Sequence, residues 1–544
     1  MRILLLIHGF NALSQRVFVE LQAAGHEVSI EFDINDDLTR EAVALFTPDI
    51  ILCPYLKRAI PADIWTRHLC LIVHPGVVGD RGPAALDRAI LRREARWGVT
   101  VLQAVADMDA GPVWATRAFD MRGATKSSLY RREVADGALA AIFEALEKVE
   151  GKAVPLRPML PALKQGERAI DWATDDTETV LRKIRAADGV PGLRDGDFYL
   201  YDAHKAGLQG EAGAVIATSG PAICRATADG AVWVGHMRAV GAGFKLPATL
   251  LVQPDVPEIA LDSAAGYREI SYREVGDVGY LRFNFYNGAM STAQIERLLA
   301  AYKTACARPT KVIVLEGGDD FWSNGIHLNT IEAAESAADE SWRNINAMDD
   351  LSEAIIRTQS HLTVAAMGAN AGAGGVFLAR ACDRVWLINT ITLNPHYKDM
   401  GNLYGSEFWT YLLPRYCGQA NAARIAAQRL PMGADEAVSL GLANAAYGNS
   451  RAAFDRETTA RAQALAADFP ALIAAKTARR AADEAVKPLA DYRAEELKKM
   501  RRNFFGFDPS YHVARYNFVH KVCKSRTPVT LARHRDKRFE RKAS

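Results

Sequence analysis

Twice along this chain, short apolar runs alternate with segments of helical spacing, and that alternation restricts the fold to sheets covered by helices. Over residues 1–120 the runs Arg2–Ile7, Glu27–Phe32, Ile50–Cys53 and 69–73 read as buried strands and 14–24 as a helix. Near-continuous apolar runs suit strands buried on both faces, so a parallel sheet with helices on both sides is expected. Helical spacing resumes at 127–149. A second alternation begins with two antiparallel-type strands, Ile270–Val275 and 278–285, then the helix Thr292–Cys306 and a buried strand at 311–316, and continues to about residue 447.

Between the two lies a different texture. Pro155, Pro158 and Pro161 mark a linker. A short helix at 177–187 and strand-like pieces at 198–201, 213–218, Ala222–Ala226 and 231–236, separated by glycine turns, predict a small β-barrel (OB-like) module ending near Leu246. After Arg451 the chain reads as largely helical, Ala-rich from Ala453 to Met500. The expected organisation is α/β: a Rossmann-like domain at 1–163, the β-module at 164–260, a second α/β domain at 265–450 and a helical C-terminal region at 451–544. The basic stretch from Arg533 to Arg538 reads as a solvated, frayed end, or as arginines that grip a phosphorylated ligand.

At 544 residues the chain is too long for one core. A net charge of +2 argues against a dominant polyanion-binding role, and no nucleic-acid partner is expected. The seven cysteines are scattered singly with no CxxC pair, which suits a reducing compartment and supplies no disulfide or metal framework. The apolar start is broken by His8-Gly9 and followed by Asn11, Ser14, Gln15 and Arg16, so it reads as a buried strand rather than a signal peptide. No segment approaches the roughly 20 apolar residues that span a bilayer. A cytoplasmic location without a membrane partner is expected.

Two glycine-centred constellations carry the chemistry. In the first, His74-Pro75-Gly76 ends an apolar strand, where open α/β sheets place ligands. Gly98-Val99-Thr100 and the acidic-glycine turn Asp107-Met108-Asp109-Ala110-Gly111 follow. This segment resembles the 10-formyltetrahydrofolate-dependent formyltransferases over residues 1 to about 160, and the β-module resembles the C-terminal domain of the methionyl-tRNA enzymes. The resemblance implies that His74 polarises a formyl group and that Asp109 orients water or accepts a proton. The family carries an asparagine two residues before its histidine; this chain has Ile72. Losing one such donor costs about 2.7–4 kcal/mol in the transition state, so either the acceptor is a better nucleophile than an amine, such as a thiol, or the site no longer transfers formyl.

In the second, Phe321-Trp322-Ser323-Asn324-Gly325-Ile326 is followed by Gly372-Ala373-Gly374-Gly375. The glycines allow backbone N–H groups to approach a ligand carbonyl. Over about 265–450 the chain resembles the crotonase (enoyl-CoA hydratase/isomerase) superfamily, which implies that the N–H groups of Ile326 and Gly374 hold a thioester carbonyl. The hydratases' two glutamates are missing: their positions fall at Phe377 and His396. Hydration is therefore not expected. Tyr397 and Glu407, in the dense segment 394–409, are the candidate acid–base pair, with His396 and Tyr404 as alternatives and a helix cap as the structural reading of Glu407.

Together the modules resemble a family of hydrogenase maturation factors, including the opening Met-Arg-Ile-Leu-Leu-Leu and Ser406-Glu407-Phe408-Trp409. That resemblance implies formyl transfer from 10-formyltetrahydrofolate to coenzyme A, then decarbonylation of formyl-CoA to carbon monoxide for the iron of nickel–iron hydrogenase. Arg16, Gly76, Gly325, Gly375 and His396 would contact the folate and CoA, and other hydrogenase maturation proteins are possible partners. A CoA-ester transferase or hydrolase, or a CoA-binding assembly scaffold, is the alternative.

Overall fold

The computed structural model describes residues 1–241 and 243–536, which form two compact units. The first comprises Met1–Tyr267 with the stretch from Lys524, and the second Arg268–Cys523. The C-terminal region from Arg451, expected to be largely helical, carries the helices Arg451–Ala467, Phe469–Val486, Leu489–Phe505 and Ser510–Val519, and its described residues are divided between the two units.

In the first unit, β1 (Arg2–Ile7), β2 (Glu27–Phe32), β3 (Ile50–Cys53), β4 (Cys70–His74), β5 (Arg96–Gln103) and β6 (Val113–Asp120) form a sheet of order β2-β1-β3-β4-β5-β6. The first four strands are parallel, as their apolar runs predict, but β5 is antiparallel to both β4 and β6. That reversal corrects the all-parallel expectation and sets Thr100 beside His74 in the ladder. The helix Ala12–Ala23 starts where Asn11 accepts a hydrogen bond from Ser14 N–H, and Asn35 caps Asp36–Phe46 the same way through Leu38 N–H.

The expected linker is not free. Arg157 N–H donates to Gly79 C=O and Leu160 N–H to Arg81 C=O, so the proline-rich strip is strapped along the loop after His74. A Cβ at Gly82, whose φ is +99°, would stand 2.2 Å from Leu160 C=O, which explains glycine there.

The β-module is antiparallel: β7 (Leu193–Asp195), β8 (Phe198–Ala206), β9 (Val215–Ser219), β10 (Ala222–Ala226) and β11 (Ala231–Ala239) run in the order β7-β8-β11-β10-β9, with β12 (Leu246–Pro247) on β11. The helix Thr177–Ala186 buries Val180, Leu181 and Ile184 against it.

The basic tail is neither frayed nor available to a ligand at Arg535. Ile30 N–H donates to Leu531 C=O, so the tail lies along the outer edge of β2. Buried Glu31 meets Thr527 Oγ1 at 2.7 Å, His534 Nε2 at 3.1 Å and the Arg535 guanidinium, which also reaches Glu41. Covering an edge strand in this way satisfies its open backbone groups. Lys537 and Arg538 lie outside the described residues.

The second unit holds β13 (Ile270–Val275), β14 (Val278–Phe283), β15 (Val312–Glu316), β16 (Phe321–Ser323), β17 (Leu362–Met367), β18 (Asn370–Gly372), β19 (Arg384–Ile388), β20 (Thr392–Asn394), β21 (Met432–Gly433) and β22 (Ala445–Tyr447). They form two sheets, β13-β14-β15-β17-β19-β22 and β16-β18-β20-β21. Only β13 is antiparallel in the larger sheet, as the first two strands of this region predicted. The smaller sheet gathers the strand ends that carry both glycine loops. Helices Ala337–Arg357, Trp409–Ala427 and Leu489–Phe505 pack on this core. Among the described residues no helix is long and apolar enough to cross a membrane.

Candidate active sites

His74 is the last residue of β4 and is buried. Its Nε2 lies 3.0 Å from Asp80 Oδ2 and its Nδ1 3.6 Å from Asp109 Oδ2. The first is a hydrogen bond; the second is within ion-pair reach but beyond a direct bond. Asp109 occupies the left-handed region at φ +51° and is held there by Gly82 N–H at 3.0 Å, while Arg81 Nε donates to Met108 C=O. The predicted His74–Asp109 pair is therefore brought together. Asp80, which the sequence motifs did not single out, is the closer partner.

Gly76 has no room for a side chain: a Cβ would stand 2.3 Å from His74 Nε2 and 2.7 Å from Asp80 Oδ2. Ile72, on the same face of β4 as His74, packs against the apolar cluster of Leu4, Ile51 and Cys70 and offers no donor. Arg16 is tied to Asp136 on its own flank of the unit and contacts neither His74 nor Asp109 through the polar bonds described.

In the second unit the glycine loops converge. A Cβ on Gly325, at φ +75°, would lie 3.3 Å from Gly374 N and 3.7 Å from Gly375 N, so the loop at Gly325 lies beside the start of the Gly374 helix. Gly375 is required by packing, because its Cβ would be 2.2 Å from Ser323 C=O. Trp322 Nε1 donates to Gly375 C=O at 3.0 Å and fastens the two loops.

Tyr397 and Glu407 also meet. The phenol donates to Glu407 Oε2 at 2.5 Å, and the other carboxylate oxygen lies against Gly374. Phe377, where a hydratase glutamate would fall, instead stacks on Tyr397 with ring centroids 5.3 Å apart and planes 24° from parallel. Glu407 does not cap the following helix. That role belongs to Glu496, which accepts from Phe408 N–H and Thr410 N–H. Burial, then the charge of Asp349, pushes the Glu407 carboxyl up to about 8, and burial followed by the Glu407 charge raises the Tyr397 phenol.

His396 and Tyr404 go elsewhere. His396 lines a cavity of about 340 Å³ with Phe377, Leu403, Trp409 and Ala426. Its two ring nitrogens and the Trp409 indole nitrogen are buried and meet no hydrogen-bond partner among the described residues. Burial lowers the His396 pKa from its ordinary value, which favours the neutral ring. Tyr404 takes a hydrogen bond from Lys499 at 2.9 Å.

The enoyl-CoA hydratase/isomerase family matches residues 278–513, and the formyl transferase C-terminal domain matches residues 162–243. The chain is 56% identical to the hydrogenase maturation factor HoxX of Bradyrhizobium diazoefficiens over 99% of this chain and 98% of that protein. It belongs to the HoxX/HypX family of hydrogenase maturation factors. The crystal structure of HypX from Aquifex aeolicus in complex with tetrahydrofolic acid shares 46% identity with it and superposes with a TM-score of 0.96 over 99% of both chains. Methionyl-tRNA formyltransferase of Dechloromonas aromatica is 26% identical over 44% of this chain and 76% of that enzyme.

The HoxX/HypX match covers both modules at once, whereas each parent family accounts for one. The acids missed by sequence reasoning in this family member had a visible signal. Asp349 sits on the buried stripe of its helix with Ile345, Met348 and Ile356, and Glu496 on that of Leu489, Met500 and Phe504. An acid on an apolar helical face is a candidate for a paired or protonated group.

Proposed function

We propose that the chain makes formyl-CoA in its first unit and splits it into carbon monoxide and CoA in its second, supplying the iron ligand of nickel–iron hydrogenase. Folate and CoA enter as substrates. In the first step the CoA sulfur attacks the formyl carbon of 10-formyltetrahydrofolate; His74 donates to the developing oxyanion, and Asp109 carries the thiol proton to the departing folate nitrogen. A thiol nucleophile suits a site whose expected asparagine is Ile72.

In the second step the thioester oxygen lies toward Ile326 N–H and Gly374 N–H. Ionised Glu407 takes the formyl proton, the C–H electrons collapse into carbon monoxide, the C–S bond breaks, and the proton passes to the thiolate. A carboxyl with a pKa of about 8 serves in both directions near neutral pH. The phenol of Tyr397 stabilises the ionised form and fixes its direction. The reading is carried by one observation: a Tyr397–Glu407 pair set against the glycine loop in a site without the hydratase glutamates. Arg16, Gly76, Gly325, Gly375 and His396 are proposed to line the substrate paths, and other maturation proteins to receive the product.

Incubation with 10-formyltetrahydrofolate and CoA, with haemoglobin reporting carbon monoxide, tests this reading. Folate consumption without gas points to transfer alone, and absence of any turnover to a scaffold.

A further inference from the structure

Behind Glu407 the structure holds two more buried acids on different helices, and both contact the same corner of chain. Ser406 Oγ lies 2.8 Å from Asp349 Oδ2 and 3.2 Å from Glu496 Oε2. Asp349 Oδ1 accepts from Glu407 N–H at 2.8 Å. Glu496 accepts from Phe408 N–H at 3.0 Å and from both Thr410 N–H, at 2.8 Å, and Thr410 Oγ1. The corner needs such restraint, because Glu407 and Phe408 both have φ of +60°, a conformation that side-chain-bearing residues adopt only when their surroundings impose it.

We infer that Asp349 and Glu496 are positioning residues for Glu407: from two helices they grip the left-handed corner at 406–408 and aim its carboxylate at the Gly374 loop. The inference rests on the reading of Tyr397 and Glu407 as the reacting pair.

Counting hydrogens extends it. Ser406 has one hydroxyl hydrogen and two carboxylates within reach, so it donates to one, and the second contact is a hydrogen bond only if that carboxyl carries its own proton. Three acids in one buried cluster cannot all ionise cheaply. The cluster therefore holds at least one shared proton, and its charge bears on Glu407. Burial raises Asp349 to about 7, and burial with the Asp349 charge raises Glu496 to about 8. The other groups facing the cluster are Tyr397 and, beside Asp349, the Arg493 guanidinium, 3.9 Å from Oδ2 and paired with Asp350 and Glu353. The Gly374–Arg380 helix sets Gly374 against Glu407 and Phe377 against Tyr397, and neither Gly374 nor Phe377 is charged.

The test uses the full-length chain with Asp349→Asn and Glu496→Gln, which keep an acceptor oxygen for the corner and remove the charge. The infrared carboxyl band of Glu407, identified by its loss in Glu407→Gln, is titrated in each. Its midpoint is expected to fall by about half a pH unit or more in both variants, as removal of a neighbouring negative charge requires. The pH profile of kcat for supplied formyl-CoA is expected to shift in parallel, with KM changed less than about twofold. An unmoved midpoint in two folded variants overturns the inference. Asp349→Asn keeps the oxygen that accepts from Glu407 N–H, whereas Glu496→Gln keeps only one of the two that accept from Phe408 N–H and Thr410 N–H, so if Glu496→Gln fails to fold, an unmoved midpoint in Asp349→Asn alone overturns the inference. If wild-type chain does not consume formyl-CoA, the proposed reaction fails, while the band titration still decides whether Asp349 and Glu496 govern Glu407.

Discussion

Gly374 and Glu407 lie so close that a methyl group on Gly374 would stand 2.0 Å from Glu407 Oε1. The residue proposed to supply an oxyanion donor and the residue proposed to move the proton thus occupy one contact, and neither can change size independently.

Gly374→Ala is accordingly expected to displace the Glu407 carboxylate and lower formyl-CoA consumption, with an overpacking cost of about 1–3 kcal/mol in stability. Formyl-CoA formation in the first unit is expected to continue. Measuring the two half-reactions separately checks this, and equal loss of both would contradict it.

Glu407→Gln and Tyr397→Phe remove the proton acceptor and its fixed donor. Consumption of formyl-CoA is expected to fall by about 10²–10⁴-fold in Glu407→Gln, with formyl-CoA accumulating from folate and CoA. Chromatography of the acyl-CoA pool reads the result directly.

His74→Ala and Asp109→Asn should show the converse pattern. Formyl-CoA synthesis is expected to drop by about 10²–10³-fold, while supplied formyl-CoA is still split. If all four variants behave alike, the proposed division between the units is wrong.

The raised carboxyls also make stability depend on pH. Asp349, Glu407 and Glu496 bind protons more tightly when folded, at about 7, 8 and 8 against ordinary values of 3.8, 4.5 and 4.5. Their favourable contribution is complete below the unfolded values and is lost as pH rises through the folded ones. Glu496→Gln is therefore expected to gain thermal stability relative to wild type as pH rises from about 5 to about 9. Scanning calorimetry at several pH values tests the sign. In the same range the second half-reaction should rise with pH and reach half its maximum near pH 8, where Glu407 ionises.

Glu31 anchors the tail. Glu31→Ala leaves buried Arg535 and His534 without their shared carboxylate and is expected to destabilise the chain by about 3–5 kcal/mol in denaturant melts. Retained stability would show that the tail adds little to the β2 edge.

Much of this architecture was legible along the chain. The apolar runs at Arg2–Ile7, Glu27–Phe32 and Ile50–Cys53 became buried strands because continuous burial selects such composition. His74 and Asp109, and the loops of Gly325 and Gly374, which the sequence singled out by motif, lie close together in the fold. The direction of β5 was not legible, since a short apolar run is the same in either orientation. Nor was the strapping of the proline strip onto Gly79 and Arg81, which rests on backbone groups that every residue carries.

The sequence alone determined the two-module plan and the family, through local patterning and motifs that depend on near neighbours. It also revealed what each site lacks, at Ile72 and Phe377. The tertiary structure decided which titratable side chains in the 394–409 segment meet. Tyr397 and Glu407 are paired where Asp349, 57 and 58 positions away, holds Ser406 and Glu407, and Glu496, 90 positions away, holds Ser406. Burial and long-range charge set both their contact and their protonation, and neither is encoded in the spacing of nearby residues.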